Sequence, residues 1–205
     1  MLSLTRVALA LLWLRSEAVP TPRPTLTAPP SAYPTATVPP TAYYVSRSTL
    51  VARYSFDDGT AAEDGDSSLD GTINGATATT GRDGSGALSF DGTDDYVEFP
   101  SAVTADIRGS NSRTICLWAV IDEWDEGALF SHGSGADGME FGLMAKTSGT
   151  IQAQLHGGSY DTAVALSGSD DGDWHHYCLA YDGSWTLYFD GASAYMGDDA
   201  EPAFS

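Results

Sequence analysis

Positive charge is what this sequence lacks. Nine Lys and Arg stand against 28 Asp and Glu, a net charge of −19 over 205 residues. The shortage sharpens along the chain: from Leu50 to Ser205 the only cations are Arg53, Arg82, Arg108, Arg113 and Lys146, facing 27 acids. Such a surface repels phosphate backbones, so nucleic acid and anionic membranes are poor partners, while divalent cations are attracted. Plain solubility, as in a salty medium, also accounts for the excess acid. Long apolar runs are missing too. The run VALALLWL, Val7 to Leu14, is too short to cross a bilayer as a helix, and no other segment approaches that length. Cysteine is scarce as well. Cys116 and Cys178 both sit in apolar, β-like runs, where a thiol is either buried and free, as in a cytosolic chain, or paired, as in a secreted one.

The start of the chain favours the secreted case. Arg6, the apolar run and the small-x-small triplet Ser16-Glu17-Ala18 have the layout of a secretory signal over residues 1–18, cleaved after Ala18. Arg15, so close to the run, departs from that layout. The expectation is a soluble, secreted or extracellular protein with no transmembrane segment. Residues 19–48 then hold eight of the ten prolines, with threonines between them, and almost nothing to bury. That composition favours extended polyproline II, so the segment is expected to stay outside the fold, as a stalk able to carry O-linked glycans or as a disordered leader. Extended at about 3.1 Å per residue, Val19 to Ala42 would reach on the order of 70 Å.

The folded domain is expected over residues 49–205. In LVARYSFDD, Leu50, Ala52, Tyr54 and Phe56 alternate against Val51, Arg53 and Ser55, a period-two pattern that buries one face of a strand. Asp57 to Gly84 reads as an irregular loop with one short strand around Gly71 to Ala76. Asp64, Asp66 and Asp70 crowd within it, but Leu69 stands where a calcium loop needs Gly and Gly75 where it needs the terminal Glu. GALSFDGTDDYVEFP, Gly86 to Pro100, places two β-prone runs on either side of Asp91-Gly92, a hairpin signal. Arg113 to Ile121 is apolar on both faces, as in a central strand covered on both sides. GALFSHG, MEFGLMA, TIQAQLHG and DTAVAL follow, each set off by turn residues. WHHYCLAYDG and WTLYFDG form the last hairpin. Strands at this spacing without a helical period predict an all-β antiparallel sandwich.

Several of these segments carry a resemblance in the same chain order. YSFD, ALSFDGTDDYV, WHHYCLAYDG and LYFDG resemble the signature strands of laminin G-like jelly-roll domains, within the concanavalin A-like lectin and glucanase superfamily. The resemblance implies a two-sheet jelly-roll sandwich. It also implies a Cys116–Cys178 disulfide, because related pentraxins join cysteines on the corresponding strands. Family members continue with further strands after the LYFDG position, so the domain is expected to be incomplete at its C-terminus.

The sites follow from both sources. By resemblance Asp137, before the MEFGLMA strand, is a calcium ligand; read locally, Asp137-Gly138 is a turn pair. Asp91, Asp94 and Asp95 are further oxygen donors, with Asp91 also suited to shaping its turn. Glucanases of this fold set two carboxylates about 5 Å apart on one strand. Glu123 and Asp125 alternate, but Gly127 and Leu129 occupy the next positions on that face, so an acid/base partner is lacking and catalysis is not expected. His175 and His176 point to opposite faces of their strand and cannot act together. Trp124, Tyr160 and Trp185 lie in or beside turns and are candidates for stacking on a sugar, whereas Trp118 and Trp174 lie within strands and suit a core. The resemblance thus implies a non-catalytic module recognising a glycan or an extracellular protein, with calcium as the candidate cofactor. The alternatives are an accessory domain or remnant of a carbohydrate-active enzyme, and a structural cell-surface spacer.

Overall fold

The computed structural model describes residues 7–15, 50–107, 111–122, 124, 126–133, 140–146, 149–154, 162–166, 169 and 171–197. Fourteen strands are defined among them. In order they are β1 (Val7–Arg15), β2 (Leu50–Tyr54), β3 (Thr72–Asn74), β4 (Thr77–Thr80), β5 (Gly86–Ser89), β6 (Tyr96–Glu98) and β7 (Arg113–Ile121). There follow β8 (Gly127–Gly133), β9 (Glu140–Ala145), β10 (Thr150–Gln154), β11 (Thr162–Ala165), β12 (His175–Tyr181), β13 (Trp185–Phe189) and β14 (Ala192–Gly197). Among the described residues helix is confined to one turn, Ser101–Thr104, and two 3-10 turns at Ser67–Leu69 and Ala105–Ile107.

All pairings between these strands are antiparallel. The larger sheet runs β14-β13-β12-β7-β1-β5-β4, with β2 also paired to β1; the smaller runs β11-β10-β9-β8; β3 and β6 form a separate ribbon. One apolar cluster joins the two main sheets: Tyr54, Leu88, Ile115, Leu117, Leu179 and Leu187 from the larger meet Phe141, Leu143, Ile151 and Val164 from the smaller. This is the expected all-β sandwich, and period-two alternation builds it. In β7, Ile115, Leu117, Ala119 and Ile121 are buried, while Cys116, Trp118 and Val120 are only half-buried. The expectation that β7 is covered on both faces is therefore corrected. It has strands on both sides, but only one of its faces lies in the core. Arg113 continues the buried face, its guanidinium over the rings of Phe141 (4.5 Å) and Tyr181 (5.0 Å), and burial pushes its pKa down to about 10.

Three further differences concern pairing. The Gly86–Pro100 segment is not a hairpin: β5 pairs with β4 and β1, while β6 leaves for β3. Gly92 has φ +79°, so the Asp-Gly turn forms, but six residues between the strands let the chain step out of the sheet. A last strand, β14, follows β13 through Asp190 (φ 47°) and Gly191 (φ 78°), the two positive φ values of a tight hairpin turn. Finally the apolar run from Val7, read above as part of a secretory signal over residues 1–18, lies in strand β1, Val7–Arg15, of the larger sheet. A run with a single charge suits a buried strand as well as a leader. The Pro/Thr-rich segment and residues 198–205, where the incomplete end was expected, lie outside the described residues.

Candidate functional site: the acidic turn at Asp91 to Asp95

The turn between β5 and β6 gathers three carboxylates. Phe90, buried in the core, fixes where the turn leaves the larger sheet, and pairing of Tyr96 with Asn74 fixes where it joins the ribbon. Between them Asp91 accepts the Thr93 amide at 2.8 Å, a local bond that Asp forms readily in turns. Asp95 is 8% exposed and its carboxylate accepts the Asp91 amide at 2.9 Å, closing the turn on itself. Gly75, between β3 and β4, brings its backbone against the same carboxylate: at φ +80° a Cβ there would fall on Asp95 Oδ1. One carboxylate oxygen from each of Asp91, Asp94 and Asp95 lies within 4.8 Å of the others, with Asp91 and Asp94 exposed and Asp95 buried. Hard oxygens clustered this way suit a divalent cation such as calcium, which takes six to eight oxygens, the rest coming from backbone carbonyls, water or a ligand.

The acids of the preceding loop are committed elsewhere. Asp64 pairs with Arg53 at 3.0 Å, Asp66 caps the 3-10 turn through the Ser68 amide, and Asp70 accepts the Glu63 amide at 2.9 Å. Glu63 in turn accepts the amides of Gly65 and Asp66. The Ser68 hydroxyl and amide hold the Asp66 carboxyl below the usual carboxylate range. Neighbouring β-structure is tied to this loop by the Tyr54 hydroxyl, which donates to the Leu69 carbonyl at 2.7 Å.

Histidines 175 and 176 point to opposite faces, as their adjacency requires. His175 is buried, with Nδ1 2.8 Å from Asp190 and Nε2 3.0 Å from Asp171. Burial works against its charge, but the hydrogen bonds and negative charges of Asp171 and Asp190 outweigh it and raise the pKa. His176 lies on the outer face, 5.0 Å from the Trp118 ring, and burial lowers its pKa. The Arg82 guanidinium also lies over the Trp118 ring, 4.2 Å from its centroid. Beside this group Cys116 and Cys178, opposite each other in β7 and β12, form the expected disulfide. With both sulfurs in that bond, the Cys116, His176 and Cys178 cluster offers no thiolate to a metal.

The expected ligand-binding rings fare differently. Trp185 is corrected: it is 4% exposed and stacked on Tyr195 at 4.9 Å, because strand β14 covers the turn side of β13. Trp124 is half-buried and packs against the core. Tyr160 and Asp137 lie outside the described residues, as do Glu123 and Asp125. Trp118, assigned above to the core, faces outward. The alternation of β7 carried that signal, since Trp118 shares a face with Cys116 and not with Leu117.

Comparison with curated proteins and with solved structures gives no match. A family model described as Concanavalin A-like lectin/glucanases superfamily, Laminin_G_3, matches residues 91–204, more than half of the chain and beginning at the first acid of the turn. With antiparallel sheets, a shared core and that match in hand, the chain belongs to the laminin G-like group of the concanavalin A-like lectin/glucanase superfamily.

Proposed function

We propose that this protein is an extracellular, non-catalytic recognition module that binds a glycan or protein ligand with the help of calcium held at Asp91, Asp94 and Asp95. The observation that carries the reading is the convergence of three carboxylates on one turn, with Asp95 anchored by the Asp91 amide and by Gly75. An anchored carboxylate loses little freedom when a cation arrives, and two exposed ones leave the ion open to a ligand's oxygens. Sugar hydroxyls are suitable oxygens. Membership of a lectin-containing superfamily supports ligand binding of this kind. The Cys116–Cys178 bridge supports an oxidising, extracellular setting and, with it, a leader removed after Ala18. In this reading Asp137 is a second rim donor.

A glycan array probed with and without a calcium chelator tests the proposal. Binding that disappears with chelation, and is weakened in Asp94→Asn, supports it. Binding indifferent to both, or turnover of a β-glucan by the purified protein, would reject the calcium-assisted and the non-catalytic parts respectively.

A further inference from the structure

His175 opens β12, and both nitrogens of its ring face carboxylates. Nδ1 lies 2.8 Å from Asp190 Oδ2, and Nε2 lies 3.0 Å from Asp171 Oδ1. The two acids come from different turns, Asp171 from the bend before β12 and Asp190 from the turn between β13 and β14. A neutral imidazole has one N–H and can donate to only one of them, so its other nitrogen sets a lone pair against a carboxylate. Imidazolium donates to both. Both contacts together therefore belong to the charged ring. Among the described residues its ion-pair partners are these two acids. The remaining neighbours carry no charge. Phe189 packs on the ring at 4.9 Å, Tyr177 meets it edge-on at 6.4 Å, and Ala119 lies opposite in β7. Burial raises the pKa of the Tyr177 hydroxyl, which stays neutral.

The two carboxylates are not held equally. Asp190 is pinned to β12 by the main chain: its Oδ1 accepts the His176 amide at 2.9 Å, and its own amide donates to the His176 carbonyl at 2.9 Å. Asp171 has, besides His175, only the Asp173 amide of its own bend, at 2.9 Å. When the ring gives up a proton, the N–H that remains stays with the fixed partner, and Phe189 keeps the ring in place. Asp171 is left facing a lone pair with nothing beyond its own bend to hold it. The place of this contact in the fold gives it reach. His175 shares a row of the larger sheet with Ala119, Leu9 and Leu88, and the acidic turn leaves β5 at that same end of the sheet.

We propose that His175 is a pH-operated clasp: as imidazolium it ties the Asp171 bend to the Asp190 turn, and as imidazole it releases the Asp171 bend while keeping Asp190. The direction follows from the charge. The clasp is closed below the unfolded histidine value and opens as pH rises through the folded one, which the two acids place above it although burial opposes the charge. Acidic surroundings therefore fix this end of the sheet, and alkaline ones free one of its loops. The clasp is independent of the acidic turn and stands or falls apart from the calcium reading.

The test is a pH titration of the isotope-labelled full chain followed by nuclear magnetic resonance. The His175 ring signals, assigned through the bonds to their own backbone, give the midpoint. Nitrogen-15 relaxation then gives the order of the backbone on either side of it. Below the midpoint the Asp171, Gly172 and Asp173 amides are expected near the rigid order parameter of about 0.85, and above it they should fall toward about 0.6. The His176 and Asp190 amides should stay rigid throughout. Asp171→Asn, at an exposed position, should lower the His175 midpoint and remove the pH dependence of the bend. The proposal is overturned if the bend keeps the same order on both sides of the midpoint, if His176 and Asp190 loosen together with it, or if the His175 midpoint is unmoved in Asp171→Asn.

Discussion

The disulfide gives the most quantitative handle on this fold. Its sulfurs join residues 62 positions apart, and the chain-entropy relation values a loop of that length at about 4 kcal/mol. Replacing both residues, Cys116→Ala with Cys178→Ala, keeps the native strands aligned by other means: β7 and β12 pair from Arg113 opposite Tyr181 to Ala119 opposite His175. The loss therefore falls mainly on the unfolded chain, which becomes freer, with a minor addition from the small volume vacated beside the nearly buried Cys178. For a domain of roughly 150 residues each kcal/mol moves the melting midpoint by about 2–4 °C, so the double variant should melt ~8–16 °C lower. Differential scanning calorimetry reads the shift directly. Urea titration adds a second signature, a larger m-value, because the uncrosslinked unfolded chain exposes more surface. A drop under about 2 °C with an unchanged m-value would show that the bridge restrains nothing the sheet does not already restrain, and the entropic account would fail.

Other expectations follow from single contacts. The raised pKa of His175 means its stabilising effect is complete below the unfolded value of 6.5 and is lost as pH rises through the folded value. The melting midpoint should thus fall over that range, and His175→Ala should flatten the fall; an equal slope in both proteins would remove the role given to Asp171 and Asp190. Gly75→Ala forces a Cβ at φ +80° onto the Asp95 carboxylate, and should cost about 2 kcal/mol in denaturant unfolding. Asp94→Asn leaves the fold untouched because the side chain is exposed, but should weaken calcium about tenfold by calorimetric titration, ~1.4 kcal/mol. Unchanged affinity there would move the ion elsewhere.

Much of the architecture was legible in the sequence for a local reason. Alternation of apolar residues is a property of adjacent positions, so β2, β7, β12 and β13 and their buried faces follow directly from Tyr54, Leu117, Leu179 and Leu187. The cysteine pairing came from the resemblance and not from spacing, and the structure joins the two sulfurs. The candidate site was only partly legible. Asp91, Asp94 and Asp95 are plain in the sequence, but the burial of Asp95 depends on Gly75, a residue twenty positions away.

What the sequence alone determined is which segments are extended, which side of each is apolar, and where the chain can turn. Which strand meets which was decided by the tertiary structure. β6 pairs with β3 and not β5, Trp185 is covered by a strand and Trp118 is not, and the run at Val7 fills a gap between β7 and β2. An apolar stretch records only that it must leave water. Whether it does so in a membrane-directed leader or between two open sheet edges depends on surfaces that do not exist until the rest of the chain has folded.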